Sequence, residues 1–190
     1  MDRPYTVDIS FKNEDFSGNK FLRGDYEDCT FNACLFSGAD LSNCRFTGCK
    51  FLNADLSGAK LVQASLQQVN FDGCKMLGMH FEHCNGFLFE VSFRNCMLDL
   101  SCFYQRQLKN TVFNNCQLRE IDFTGANLTG ARFEHCDLLG AIFENCILEG
   151  ADFRTAINYT FDPEQNKLSK AKFPLPGVAR LLIKYKIEIE

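Results

Sequence analysis

A large apolar residue recurs at every fifth position along most of this 190-residue chain. One series runs unbroken from Phe11 to Phe81. A second series, shifted by two residues at Asn85-Gly86, runs from Leu88 to Phe153 with Leu and Phe in strict alternation. A period of five matches neither the 3.6-residue repeat of an α-helix nor the two-residue alternation of a strand. It predicts a coil that turns a corner every five residues and directs one large side chain inward from each side.

The positions around each large residue follow the same period. The residue two before it is often small, as at Ala54 and Cys74, and the residue two after it is often Gly or Asn, as at Gly58. Gly and Asn tolerate the backbone dihedral angles that a tight corner requires. The residues on either side of the large one are mostly polar, so we expect them to face water.

Several segments resemble the pentapeptide-repeat consensus, among them ADLSN at 39–43, ADLSG at 54–58 and ANLTG at 126–130. The resemblance implies an all-β fold, a right-handed quadrilateral β-helix with four pentapeptides per coil. The second series agrees with four sides, because Leu recurs at intervals of twenty from Leu88 to Leu148. The repeats predict about seven coils over residues 1–157, a rod about 35 Å long at roughly 4.8 Å per coil, followed by a separate unit at 158–190.

The 11 cysteines are predicted to be reduced residues of the core. Most lie two residues before a large residue, where they alternate with Ala, and a buried free Cys behaves as a small hydrophobic residue. Cys84 takes the same place if the first series continues, whereas Cys102 departs from the pattern. A soft-metal site in the ladder Cys96, Cys116 and Cys136 is the alternative interpretation.

Composition and charge argue against several classes of protein. The formal net charge of −4 argues against the basic surface of a nucleic-acid-binding protein. The longest aliphatic runs, such as residues 181–183, are too short for a transmembrane helix. An odd number of cysteines and the lack of an apolar signal sequence argue against a secreted disulfide framework. We therefore expect a cytoplasmic protein that binds neither nucleic acid nor membrane directly.

The sequence contains no Gly-rich phosphate loop, Ser/His/Asp order or Cys-x-x-Cys motif. His80 and His83 would both point outward near one corner, without a third outward ligand nearby, and His135 lies in a separate repeat. A core filled by Phe and Leu leaves no room for an internal substrate pocket. We expect no enzymatic activity, no metal and no cofactor.

Residues 158–190 follow a different pattern, because the repeat ends after Phe153. Residues 158–164 are typical of a linker and residues 167–173 are basic. A short helix is predicted from about 176 to 185, and residues 186–190 alternate as an edge strand does. Since so short a helix is unstable alone, we expect it to dock on the rod and cap it.

This terminal pattern resembles the C-terminal module of the quinolone-resistance (Qnr) branch of pentapeptide-repeat proteins. In that branch the final helix and strand cap the β-helix and pair with a second chain about a two-fold axis. The resemblance implies a homodimer, and its interface would contain Leu181, Leu182, Tyr185, Ile187 and Ile189.

The same resemblance implies a function. Qnr proteins are rods that mimic DNA and bind DNA gyrase and topoisomerase IV, inhibiting these enzymes or protecting them from quinolones. Acidic residues outnumber basic ones in residues 1–157, and the reverse holds in residues 158–190. The acids nearest the tail form the candidate partner-binding surface: Asp122, Glu134, Asp137, Glu144, Glu149 and Asp152.

Two features leave alternatives open. Qnr members that protect gyrase strongly carry loops between coils, whereas this chain has only the two-residue shift at Asn85-Gly86, as the loop-poor inhibitory members do. Outward apolar residues such as Phe87 and Ile147 share a face that is covered either by the basic segment or by a partner. The alternative function is a non-enzymatic scaffolding protein with an unrelated partner.

Overall fold

The chain winds into a right-handed β-helix in which each coil pairs in parallel with the next. The computed structural model describes residues 3–18 and 20–188. The strands are short: β1 Tyr5–Val7, β2 Ser10–Lys12, β3 Asp25–Glu27, β4 Thr30–Asn32, β5 Arg45–Thr47, β6 Lys50–Leu52, β7 Ser65–Gln67, β8 Val69–Asp72, β9 Val91–Arg94, β10 Val112–Asn114 and β11 Arg132–Glu134.

These strands line two of the four sides. One sheet has four strands in the order β1-β3-β5-β7, and the other has seven in the order β11-β10-β9-β8-β6-β4-β2. Paired residues are twenty apart, as in Tyr5 with Asp25, except across the two-residue shift, where Val69 pairs with Val91. The other two sides carry isolated parallel bridges with the same spacing, such as that of Asp40 with Lys60. The predicted all-β quadrilateral solenoid is confirmed.

The seven-stranded side carries a column of stacked phenylalanine rings. From Phe31 to Phe153, successive ring centroids lie between 4.8 and 5.3 Å apart. The side chains of this column are at most 3% exposed. Leu and Phe from the other sides fill the remaining interior with Ala and Cys between them. The inward orientation predicted for these large residues is therefore confirmed, with the exception at Leu88 described below.

An aspartate directly before the large residue closes many of the turns. Asp55 Oδ1 accepts a hydrogen bond from the main-chain N–H of Ser57 at 3.0 Å, and Asp40 accepts one from Ser42 at the same distance. Gly58 follows with a φ of 66°, a left-handed conformation that glycine adopts without steric cost. This Asp thus has a structural role in the repeat, as the acceptor of an Asx turn.

The two-residue shift forms a bulge over Asn85–Glu90. The N–H groups of Asn85 and Glu90 donate to the carbonyls of Ala64 and Leu66. The segment 85–90 therefore lies opposite the shorter segment 64–66 of the preceding coil. The surplus residues loop outward. Leu88 is 62% exposed as a result, while Phe89 turns toward the core. The prediction that Leu88 points inward was therefore wrong.

Parallel pairing continues past residue 157, where the sequence predicts the rod to end. Ile147 pairs with Lys167, and the ring of Phe173 stacks on Phe153 at 5.1 Å. Residues 167–173 thus extend the stack. The predicted linker at 158–164 forms no strand, but its Tyr159 and Phe161 pack with the core. The five-residue pattern is interrupted where Tyr159, which is 1% exposed, fills the core one position late. It returns in phase at Leu168 and Phe173, which pack against the core.

The chain then forms α1, Leu175–Leu181, and a 3₁₀ turn, Ile183–Tyr185. Together they occupy nearly the span of the predicted helix. Lys186 adopts a left-handed φ of 51°, which turns the backbone out of an extended path. Residues 186–188 contain no strand, so the predicted edge strand was wrong there, and Ile189 lies outside the described residues. Among the residues that the structure describes, no helix has both the length and the apolarity needed to cross a bilayer.

We expect the native protein to react slowly with thiol reagents. Ten of the eleven cysteines are buried, and burial raises the pKa of Cys49 to about 12 and that of half-buried Cys102 to about 11. These thiols stay protonated at pH 8, and only the thiolate is nucleophilic. Ellman's reagent at pH 8 should titrate at most Cys102 in the native protein and all eleven thiols after denaturation without reductant. A lower total after denaturation would contradict the predicted reduced state.

Candidate interaction surfaces

Ion pairs and a buried leucine hold the C-terminal segment on the last coil. Lys184 Nζ lies 2.5 Å from a carboxylate oxygen of Asp162 and 2.8 Å from one of Glu164. The Tyr185 hydroxyl donates a hydrogen bond to Glu164, and Leu181 is only 7% exposed. The polar contacts reach Asp162, which caps the turn Pro163–Gln165, and Glu164 within it, so the helix and the turn after it cover this end of the stack.

The residues predicted for a dimer interface fall into two groups. Leu181 is buried within its own chain and Leu182 is half-buried, so neither presents a full side chain to a partner. Tyr185 and Ile187 are 47% and 56% exposed, and Ile183, which the sequence did not single out, is 63% exposed. The apolar surface of the tail thus centres on Ile183, Tyr185 and Ile187.

The six acidic candidates do not form one face. Glu134 belongs to β11, and Asp152 pairs with Arg132 of the same strand, so both lie on the seven-stranded side. The register of the parallel bridges divides the others among the remaining sides: Asp137 on the second, Asp122 and Glu144 on the third, and Glu149 on the fourth. The predicted surface is a belt around the rod rather than a patch.

Three of these acids close turns of the repeat: Asp122, Asp137 and Asp152, which accept main-chain hydrogen bonds at 2.8, 3.2 and 3.1 Å. Arg119 lies 2.8 Å from Asp137, and Arg154 lies 2.7 Å from Asp152. Burial opposes ionisation of Asp137, but hydrogen bonds from Asn158 and Arg119 outweigh it and lower its pKa. The hydrogen bond from Arg154 lowers the pKa of Asp152. These carboxylates are charged at neutral pH and partly neutralised by their neighbours.

The three glutamates differ in their surroundings. Glu134 is 3.1 Å from Arg132 and accepts a hydrogen bond from Asn114 at 2.6 Å. Glu144 and Glu149 are exposed, and neither has an ion-pair partner within residues 3–18 and 20–188. These two carry the least neutralised negative charge of the set.

A shallow concavity of about 620 Å³ lies over the four-stranded sheet, between Arg3 and the bulge residue Phe87. Asp25 on its floor is 2.7 Å from Arg3 and 3.5 Å from Arg45. Phe87 is 70% exposed. The basic segment does not cover it, because residues 158–173 stack several coils farther along the rod.

Family models match most of the repeat region. A model described as pentapeptide repeats (8 copies) matches residues 27–61 and 49–85, and one described as a pentapeptide repeat region matches residues 87–160. Together these matches cover well over half of the chain. It belongs to the pentapeptide-repeat family. No curated protein sequence matched it.

Comparison with solved structures finds several similar proteins. A trypsin-treated variant of QnrB1, a plasmid-mediated fluoroquinolone resistance protein, is 22% identical and aligns over 98% of this chain and 100% of its own, with a TM-score of 0.50. Full-length QnrB1 is 19% identical, with 97% and 100% coverage and a TM-score of 0.41. HetL, involved in heterocyst differentiation regulation in Nostoc sp. strain PCC 7120, is 20% identical, with 90% and 84% coverage and a TM-score of 0.29. At 22% identity and a TM-score of 0.50, the likeness to the trypsin-treated variant supports the fold alone.

Two features of this pentapeptide-repeat chain were missed from the sequence. The structural role of Asp122, Asp137 and Asp152 was signalled by their recurrence directly before a large residue. The exposure of Ile183 had no local signal, because it depends on how the tail docks on the last coil.

Proposed function

We propose that this pentapeptide-repeat protein binds a type II topoisomerase, DNA gyrase or topoisomerase IV, in place of a DNA duplex. Bound there, it would inhibit the enzyme, protect it from quinolones, or do both. The observation that carries the proposal is the belt of acids on all four sides of a solid rod. A duplex presents negative charge around its whole circumference, so a mimic of DNA requires such a belt rather than one acidic face.

The dimensions and rigidity of the rod support this proposal. At about 4.8 Å per coil, the stack from Tyr5 to Lys172 is about 40 Å long. Two rods joined tail to tail would match about 24 base pairs at roughly 3.4 Å per pair. Because the stacked phenylalanines hold the rod in one shape, little conformational entropy is lost when it docks.

The bulge indicates which activity to expect. Only residues 85–90 depart from the regular coil between the two series, and they add two residues. No long loop reaches away from the described part of the rod, a form that resembles the inhibitory members of the Qnr branch. We therefore propose inhibition as the primary activity, in the cytoplasm, with neither enzymatic chemistry nor a direct nucleic-acid partner.

One observation favours the alternative function, a scaffolding protein with an unrelated partner. Asp137, Asp152 and Glu134 each lie beside an arginine, which reduces the negative potential of the belt. A DNA duplex has no such fixed cations. The two functions differ in whether the protein competes with DNA.

A supercoiling assay distinguishes them. Purified full-length protein at micromolar concentration in low salt should inhibit supercoiling by gyrase, and a higher concentration of the relaxed plasmid substrate should relieve the inhibition by competing for the same groove. Unchanged supercoiling under these conditions would reject the DNA-mimic proposal and leave the scaffolding function. Inhibition that excess plasmid cannot relieve would place the binding site elsewhere on gyrase.

We also propose that a second copy of this chain covers the exposed apolar surface of the tail. A two-fold contact would pair the surface formed by Ile183, Tyr185 and Ile187 with itself. Changing Ile183 and Ile187 together to Glu should convert a dimer to a monomer in light scattering while the circular dichroism spectrum stays unchanged. Deleting residues 174–190 should give monomers or aggregates, because it also uncovers the last coil.

Leu181→Glu is the control for a change that acts through folding rather than through the exposed surface, because it places a charge at a buried position of the cap. This variant should lose thermal stability, as burial of an unpaired charge does. An unchanged dimer in the Ile183/Ile187 double variant would refute the tail's role in assembly.

A further inference from the structure

A cluster of metal-ligating side chains lies at one corner of the rod, outside the surfaces described above. His80, Glu82 and His83 each offer a ligand atom, and these atoms all lie within 4.8 Å of one another. His80 Nδ1 is 2.7 Å from Glu82 Oε1, and His83 Nε2 is 3.7 Å from the same oxygen. The two imidazole rings stack with their centroids 5.4 Å apart.

The local backbone explains why these side chains converge. Phe81–His83 forms a 3₁₀ turn in which Phe81 is buried and His80 is the N-cap. Residues three apart eclipse one another in a 3₁₀ turn, so His80 and His83 come to the same side with Glu82 between them. The expectation that this corner lacks a third outward ligand was therefore wrong, because Glu82 supplies it.

Glu82 shows a second, independent feature. Its Oε2 atom is buried and has no hydrogen-bond partner among the residues that the structure describes. A buried carboxylate oxygen without a partner is costly. A cation bound at the neighbouring Oε1, which faces both histidines, would neutralise the charge of this carboxylate. Arg106 forms no ion pair with this carboxylate among the described residues: its NH2 group donates to the main-chain carbonyl of Glu82, and its Nε is also without a partner.

We propose that His80, Glu82 and His83 bind one divalent transition-metal ion of the zinc class. Two imidazole nitrogens and one carboxylate form a ligand set that zinc commonly takes, with Zn–N and Zn–O bonds of about 2.0–2.2 Å. Mg²⁺ and Ca²⁺ are disfavoured because they require oxygen ligands. Water completes the coordination on the exposed side. The ion would fasten the corner directly before the bulge at Asn85–Glu90.

Titration calorimetry on chelator-treated full-length protein tests the site. Zn²⁺ should bind with one equivalent and micromolar affinity, and Mg²⁺ should give no heat. His80→Ala and His83→Ala should each weaken Zn²⁺ binding at least tenfold, and Glu82→Gln should weaken it as well. The matched control is His135→Ala, because His135 is the remaining histidine of the chain and lies in a separate repeat.

The same proteins give a second readout that does not depend on calorimetry. Zn²⁺ should raise the thermal midpoint of the wild type and of His135→Ala, but not that of His83→Ala. His80 and His83 are exposed, so these variants should fold normally, and their circular dichroism spectra verify it. Absence of binding at 100-fold higher Zn²⁺ concentration than protein would overturn the proposal. So would equal affinity in the wild type and both the His80 and His83 variants, which indicates adventitious binding elsewhere.

Discussion

Replacing Phe123 by Ala should lower the free energy of unfolding by about 3–5 kcal/mol, as other large-to-small changes in protein cores do. Phe123 is fully buried. Its ring stacks between Phe103 and Phe143 at centroid distances of 5.6 and 5.1 Å, and it meets Phe113 edge-on at 5.8 Å. Removal of the ring leaves a cavity inside a closed coil.

The cavity cannot collapse easily, because the backbone around it is tied to its neighbours. The N–H of Phe123 donates to the carbonyl of Ile142 at 3.0 Å. The main-chain N–H of Phe103 donates to the main-chain carbonyl of Asp122 at 2.7 Å. Movement of one side of the coil would break such bonds on both neighbouring coils. We therefore expect a cost in the upper part of the range for Phe→Ala substitutions.

Thr124→Ala is the matched control on the adjacent residue. The side chain of Thr124 is half-buried on the outer surface, and its turn contact with Asp122 uses the main-chain N–H, which Ala retains. Its loss should change stability by less than about 0.5 kcal/mol, as most surface substitutions do. Urea unfolding followed by circular dichroism measures both variants. Equal losses at the two positions would overturn the inward and outward assignment.

Neutralising the acidic belt should abolish inhibition of gyrase by this protein. The variant carries six changes: Asp122→Asn, Asp137→Asn, Asp152→Asn, Glu134→Gln, Glu144→Gln and Glu149→Gln. Negative charge steers a DNA mimic into the basic groove that holds DNA, so we expect the concentration for half-inhibition to rise at least tenfold. Because salt screens exposed charges, wild-type inhibition should also weaken as salt is raised from low to physiological concentration.

The chosen substitutions separate charge from folding. Asn keeps an oxygen that can accept the turn hydrogen bonds of Asp122, Asp137 and Asp152. The broken pairs with Arg119 and Arg154 are exposed on the arginine side and contribute little to stability. The variant should therefore retain its circular dichroism spectrum and melting temperature within a few degrees.

A control variant removes six acids from coils farther from the tail: Asp8→Asn, Asp28→Asn, Asp72→Asn, Glu14→Gln, Glu27→Gln and Glu90→Gln. It has the same net charge as the belt variant, and we expect it to retain most of the inhibition. Equal loss in the two variants would show that net charge, rather than the belt near the tail, governs binding. Full inhibition by the belt variant would reject the proposed surface.

The sequence by itself determined the repeating part of this protein. Each side of the coil is five residues long, and residues twenty apart become neighbours, so the pattern at Phe113 and Phe133 already specifies that their rings stack. The same reasoning placed the small residues, including most cysteines, inside. A solenoid is predictable to this degree because each repeat contacts chiefly its neighbours.

The tertiary structure decided what happens wherever the period breaks. Phe89 rather than Leu88 packs against the core, because the two surplus residues loop outward between the backbone hydrogen bonds of Asn85 and Glu90. Residues 167–173 extend the stack beyond the interruption at Tyr159, because Leu168 and Phe173 return to the phase of the repeat and pack on the core. The burial of Leu181 and the convergence of His80, Glu82 and His83 likewise depend on docking and on one 3₁₀ turn. A local pattern specifies which residues repeat, whereas contacts with the rest of the fold decide where the exceptions lie.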